Sequence, residues 1–442
     1  MNEDQFQNEV FNFIPQIIER KIERNYNNLT EIKLKGSSSE KGVIDFSDKL
    51  VDTPIISRQY FSDLSDKKIF IIIKGIEYGF LENDYKKFYK FIYKILGFND
   101  YQEKVSADYL KEKILLWIVD VHINGKVLEN FMTYLYRNIS NDVKNQTYYF
   151  PILNMEIEKE FNIGKARITY FSKKYLEEFY QSKLSEELEK SDFEKSFGKF
   201  IGKVLVSVDI LAENKLANDL AIKKASYIID VLKLTSPTVE IPFEKCFLEL
   251  ESKIPFDYEY LSFINNDISK FTYHIGINRE HELNYTIEMI ENWSILFDTF
   301  GNLIEKKDEK SNLITNSISF YSKCLSEDDL HLRISKLIMI IESIFLKDEE
   351  NFKMEIKSKR RFLDFRFGND NKQKNKFKIV LNNMYEIRHK MTHKSTRLYI
   401  DNNELRDFQQ EIIQILFMIS KISSLDFNKE DFLNALDKKA NV

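Results

Sequence analysis

Near the C-terminus, the hexapeptide Arg388-His389-Lys390-Met391-Thr392-His393 holds an arginine and a histidine with four residues between them. The chain has six histidines, and two of them fall in this hexapeptide. Arginine carries a fixed positive charge on a planar fork of donors that matches phosphate oxygens. Histidine is the side chain that exchanges a proton near neutral pH. Together they are a minimal kit for breaking a phosphodiester bond without a metal.

A regular helix through this segment puts Arg388 and His393 about 140° apart around its axis, on either flank of Met391. His389 and His393 are four positions apart and share a face. The surroundings are basic: residues Lys353 to Arg397 contain 14 Lys+Arg and 4 Asp+Glu, so 14 − 4 = +10. Such a run can be a solvated helix face or a surface that draws phosphates. On the second reading Lys357, Lys359, Arg360, Arg361, Lys390, Lys394 and Arg397 are the cations expected to meet phosphate groups.

The elements that must position these groups are helical. No proline follows Pro255, which favours long uninterrupted helices in the last part of the chain. Ser326 before Glu327-Asp328-Asp329 reads as an N-cap, followed at helical spacing by Leu330, Ile334, Leu337, Ile341 and Ile344. A basic helix is expected over about 352–365, broken at Gly368-Asn369-Asp370-Asn371. The motif helix then starts near Lys376 with Val380, Met384, Ile387 and Met391 as its buried stripe. A last helix spans about 403–423 through Leu405, Phe408, Ile412, Ile415, Ile419 and Ile422. Four such helices can enclose one core as a small bundle.

Upstream the pattern is mixed. An early amphipathic helix carries Phe6, Val10, Phe13 and Ile17, and a hairpin is expected from Thr30–Lys35 and Val43–Phe46. The intervening Gly36–Gly42 loop lacks the Gly-Lys-Ser/Thr ending of a nucleotide-binding loop and reads as a turn. Val204, Val206, Val208 and Ile210 alternate as in a strand. Ala217, Ala221, Ala225, Ile228 and Leu232 mark a helix face ending at Thr235-Ser236-Pro237. Asn162–Lys165 turns into a strand at Ala166–Phe171, and a helix around Tyr285–Phe300 carries Trp293. The expected class is α+β, predominantly helical, in three parts. These are an N-terminal mixed α/β domain at 1–165, a second mixed module at 166–305, and a helical domain at 313–442, with a boundary at the polar stretch Glu305–Asn312.

Within residues 315–425 the chain resembles the HEPN superfamily, particularly the Apea-like HEPN proteins of bacterial phage defence. The resemblance lies in the helix Leu337–Phe345 with Glu342 inside it, the basic segment Lys357–Asp364, and Met384-Tyr385-Glu386-Ile387-Arg388 running on to His393. An Arg, four residues and a His, with a polar residue directly after the Arg, is similar to that superfamily's ribonuclease motif. The resemblance implies a metal-independent endoribonuclease acting as a homodimer through the helical domain, with no cofactor. It assigns catalysis to Arg388 and His393, with His389 as an auxiliary contact and Glu342 orienting Arg388. It further implies abortive infection or antiphage toxicity. A growth-arresting nuclease needs restraint, and the N-terminal region, by its size and its lack of a catalytic motif, is expected to hold the site inactive or to sense a phage-derived trigger. In the toxins of this superfamily that pair with nucleotidyltransferase antitoxins, a tyrosine often stands two residues after the histidine. Here that residue is Ser395, so control through a modified tyrosine is not expected.

Two other readings stay open. A non-catalytic helical module that binds RNA or protein would use Arg388 and His393 for structure. A metal site would use His389 and His393 at the i, i+4 spacing of zinc ligands on a helix, although no Glu follows His389 as in H-E-x-x-H. The bulk composition excludes other classes. A net charge of −5 argues against coating nucleic acid over the whole surface. Two cysteines, Cys246 and Cys324, form no disulfide framework and point to a reducing cytoplasm. No signal-peptide pattern is seen at the N-terminus, and the longest apolar run, Ile69–Ile73, is far below a membrane span.

Overall fold

The structure is a computed structural model that describes residues 3–21, 55–60, 67–98, 101, 103–174, 177–178, 198–244, 248–250, 258–264, 267–274, 283–350, 353–423 and 427–439. The expected hairpin at Thr30–Lys35 and Val43–Phe46, with its glycine loop, lies outside the described residues. The class is α+β and mostly helical, as expected. The chain falls into two compact units, Met1–Gln146 with Ile210–Leu220, and Thr147–Asp209 with Ala221–Val442. This partition does not coincide with cuts at 165 and 305.

In the first unit, helix α1 (Glu3–Phe11) leads to strand β1 (Ile18–Lys21), followed by β2 (Ile55–Tyr60), β3 (Lys67–Ile73) and β4 (Ile76–Gly79). They form one sheet in the order β1-β4-β3-β2, with every pair antiparallel. The expected early helix is shorter than its apolar pattern suggests. It stops at Phe11, and Pro15 sits in a separate 3-10 turn, Ile14–Gln16. Proline has no N–H to continue the α ladder, yet Phe13 and Ile17 are buried all the same. Helices α2 (Glu82–Leu96), α3 (Ala107–Asn124) and α4 (Phe131–Asp142) complete a core rich in Phe6, Phe13, Phe80, Phe88, Phe91 and Phe131.

A five-stranded sheet lies mostly in the second unit. Its members are β5 (Lys144–Leu153), β7 (Phe161–Ile163), β8 (Ala166–Tyr170), β9 (Val204–Ala212) and β10 (Glu249–Leu250), in the order β10-β5-β9-β8-β7. One end of β5 and of β9, and the first turns of the helix after β9, belong to the first unit. Two further pairs are β6 (Met155–Ile157) with β13 (Leu283–Tyr285), and β11 (Tyr258–Ile264) with β12 (Asp267–His274). Val204, Val206, Val208 and Ile210 of β9 are buried as expected, but strict alternation holds only in its second half, where Asp209 and Leu211 are exposed; Leu205 is buried as well. Helix α5 (Asn214–Lys233) buries Ala217, Ala221, Ala225, Ile228 and Leu232, as its spacing requires. The turn into β8 is tight because Gly164, at φ +58°, lies against Gly301, where helix α6 (Ile287–Gly301) ends.

Six helices follow. They are α7 (Glu309–Leu325), α8 (Leu330–Phe345), α9 (Met354–Phe367), α10 (Asn371–Lys394), α11 (Asn402–Ser420) and α12 (Lys429–Lys439). Four were expected from apolar periodicity. Within the polar stretch 305–312, Asp308 accepts the Ser311 N–H and starts α7. Ser326 is not the N-cap of α8 either. It ends α7, and Asp329 caps α8 by accepting the N–H groups of His331 and Leu332. Helix α12 is short and polar, and its anchors Leu433 and Leu436 are buried.

Candidate active site on helix α10

Gly368 ends α9 and Asp370 caps α10 through the Gln373 N–H, so the motif helix begins at Asn371, earlier than Lys376. Its buried stripe is Phe377, Leu381, Met384, Tyr385 and Ile387, whereas Val380 and Met391 are only half-buried. The stripe is displaced because Tyr385 turns inward. Its hydroxyl meets Ser358 of α9 at 2.8 Å, and burial pushes its pKa well above the ordinary value. The stacked rings of Phe362 and Phe377, 5.6 Å apart, tie the same two helices together.

Helices α8 and α10 run antiparallel side by side, joined by polar contacts in register. Arg388 Nη1 donates to Glu342 Oε1 at 2.6 Å. Next, Ser335 Oγ lies 4.0 Å from Met391 Sδ. Beyond the end of α10, His331 Nε2 donates to the Leu398 carbonyl at 2.9 Å, and Arg397 donates to Asp329 at 2.6 Å. A carbonyl has no proton, so that His331 nitrogen carries one.

Arg388 keeps 31% of its side chain exposed, and Glu342 keeps 17%. A guanidinium has five N–H donors, and the bond to Glu342 uses one at Nη1, so the fork retains donors on its open side. His389 and His393 are exposed, their ring centroids 4.8 Å apart. Both lie on the same unbroken helix as Arg388, which ends where Ser395 takes a left-handed conformation at φ +50°. Ideal helix geometry puts the Cα atoms of Arg388 and His393 roughly 9 Å apart, the histidine about 7.5 Å further along the axis. Among the described residues no group of three His, Cys, Asp or Glu side chains is placed to hold a metal ion around this pair.

The basic run is largely neutralised by acids, most of them from outside it. Lys357 pairs with Glu350, Arg360 and Arg361 with Asp437, Arg366 with Glu411, and Arg397 with Asp329. Lys359 bonds to Glu355 and Asn382 and lies over the Tyr385 ring. Arg361 cannot serve as an open phosphate contact, contrary to the sequence expectation, because its side chain is 1% exposed. It is locked by Glu350, Asp437 and the Phe345 carbonyl. A buried guanidinium needs such full pairing. Burial alone would raise the Glu350 carboxyl, but bonds from Arg361 and Lys357 outweigh it and hold it at about 2. Among the described residues Lys390 and Lys394 have no ion pair, and they flank His393 in sequence.

The residues missed from sequence are Glu350 and Asp437, whose partners are 11 and 76 positions away. No local spacing signals such pairs. No helix of the described residues is long and apolar enough to cross a membrane. Comparison of the chain with protein-family models, with curated proteins and with solved structures found no match in any of the three.

Proposed function

We propose that this chain is a metal-independent endoribonuclease whose catalytic groups are Arg388 and His393 on α10. The observation that carries the reading is the Glu342–Arg388 pair at 2.6 Å together with an exposed His393 five residues further along the same continuous helix. A guanidinium fixed by a carboxylate from a neighbouring helix is preorganised, so little reorganisation is needed when charge develops on phosphoryl oxygens. An exposed imidazole near it is free to exchange protons with a bound strand.

RNA supplies its own nucleophile. The 2′-oxygen attacks the adjacent phosphorus, the bond to the 5′-oxygen breaks, and the products are a 2′,3′-cyclic phosphate and a 5′-hydroxyl. His393 takes the 2′-hydroxyl proton or delivers one to the leaving 5′-oxygen. In-line geometry puts those two oxygens on opposite sides, so one imidazole serves both poorly. A second copy related by two-fold symmetry supplies the other proton carrier, and His389 is an auxiliary polar contact. Lys390 and Lys394 hold the strand electrostatically. On this reading the chain acts in the cytoplasm as an antiphage, growth-arresting effector, restrained by its N-terminal region until a phage-derived trigger arrives.

One observation favours the non-catalytic alternative, an RNA- or protein-binding module: most of the basic run is already paired within the fold. The two readings part on cleavage. Purified full-length protein is incubated in EDTA with end-labelled RNA and with DNA of the same sequence, beside His393→Ala. The ribonuclease reading expects the wild type to cut RNA only and the variant to cut neither. Intact RNA with a well-folded wild type would favour the binding module.

A further inference from the structure

At the end of the α8–α10 seam is an open cleft of about 320 Å³, lined by Phe243, Asp328, Asp329, His331, Arg397 and Tyr399 among others. We infer that this cleft is a stacking site for one unpaired base of the RNA strand that reaches His393; the inference rests on the ribonuclease reading and names how its substrate is held.

Tyr399 is the observation that points there. It is 86% exposed, so folding gains almost nothing from its ring, yet its backbone is pinned on both sides. The Leu398 carbonyl accepts from His331, Arg397 pairs with Asp329, and Ile400 is buried. Phe243, 55% exposed, lines the same cleft. An exposed aromatic ring on an anchored stretch of backbone, beside a guanidinium plane, offers a face on which an unpaired base can stack. Asp329 does not repel the strand with a spare charge: Oδ1 accepts two backbone N–H groups and Oδ2 holds Arg397. Arg397 is thereby neutralised and offers a flat surface more than a phosphate anchor. Unpaired Lys390 and Lys394 precede the cleft along the chain and give the strand a cationic approach.

The spacing suits a strand spanning both places. His331 lies eleven residues from Glu342 along α8, so the cleft is about 16 Å along the helix pair from the Arg388 ion pair. His393 falls between them. A cleft this open, with the Tyr399 and Phe243 rings set among charged lining residues, grips one face of a base and leaves the chain free to continue.

The test uses the full chain and a single-stranded RNA that is 2′-O-methylated throughout and carries one 2-aminopurine. That strand cannot be cleaved by 2′-oxygen attack, and its fluorescence falls when the base stacks. The expected result is quenching on binding to wild type, and binding weakened about 5- to 150-fold in Tyr399→Leu, the range of one lost base–aromatic stack. Tyr399→Phe should bind within about twofold of wild type. Equal binding and quenching by Tyr399→Leu overturns the inference, as does a Tyr399→Leu effect on self-association without RNA in place of an effect on quenching. Cleavage of unmodified RNA is read in parallel. Cleavage with no Tyr399 effect removes the stacking site and keeps the ribonuclease. Tyr399-dependent quenching without wild-type cleavage keeps the site and removes the ribonuclease.

Discussion

Glu342 and Arg388 join two antiparallel helices through a 2.6 Å charge-assisted bond, forty-six residues apart in sequence. The carboxylate fixes where the guanidinium points, and it does so from a mostly buried position that limits its own movement. On the proposed ribonuclease reading Glu342 is a positioning residue that acts through Arg388.

Replacing it should loosen Arg388 without removing it. Glu342→Gln keeps the shape and an acceptor oxygen but loses the charge; the expected loss is about 10- to 100-fold in kcat with KM changed little, the scale of a catalytic group misplaced by an ångström. A fall in KM-dependent binding alone, with kcat unchanged, would contradict a positioning role.

Arg361 is expected to behave as a structural residue. Arg361→Ala leaves the buried Glu350 ion-paired with Lys357 alone and the half-buried Asp437 with Arg360 alone, so the loss should fall below the roughly 3–5 kcal/mol of a buried pair left wholly unpartnered. Denaturant unfolding should show that loss. RNA affinity, measured where the variant stays folded, should be unchanged. A variant of normal stability with weakened RNA binding would return Arg361 to the binding surface.

The same cluster sets an acid limit. Glu350 is held at about 2, below its ordinary value of 4.5, and bonds from Arg361 hold Asp437 below its own. A depressed carboxylate contributes stability that is complete above its unfolded value and is lost as pH falls through its folded value. Wild type should therefore lose stability from about pH 4.5 down toward 2. Glu350→Gln should start less stable at neutral pH, and its gap from wild type should narrow over that window. A gap independent of pH would show that Glu350 does not titrate there.

Gly164 and Gly301 meet backbone to backbone. A Cβ on Gly301 would lie 2.4 Å from the Gly164 nitrogen, and one on Gly164 would lie 2.5 Å from the Gly301 carbonyl carbon. Backbone cannot rotate away as a side chain can, so Gly301→Ala should cost at least the 1–3 kcal/mol typical of about one methyl group of overpacking. Thermal unfolding reads this directly, and a wild-type melting temperature would contradict the contact.

Much of this architecture was legible in the sequence, for identifiable reasons. Apolar spacing located α8 and α11, and alternation located β9, because burial of one face is written locally. Asn162–Lys165 declared its turn through Gly164. Helix starts were harder. Ser326 looks like a cap as much as Asp329 does, and the choice depends on which residue has a free N–H two or three positions ahead. Helix α12 was hidden because it is short and its anchors, Phe432, Leu433 and Leu436, stand among charged residues. At the candidate site, the motif and Glu342 were readable from residue type and a resemblance. The true surroundings of the basic run were not, since Arg361 resembles an exposed arginine until Asp437 arrives from 76 positions away.

The ends of the cleaved strand test the central claim most directly. RNA with a single 2′-deoxy residue on the 5′ side of a mapped cut is compared with unmodified RNA, in EDTA, using wild type and His393→Ala. The account predicts a 2′,3′-cyclic phosphate and a 5′-hydroxyl from unmodified RNA, no cut at the deoxy-protected linkage, and no products from the variant. Cleavage at the protected linkage, or undiminished cleavage by His393→Ala, would contradict it.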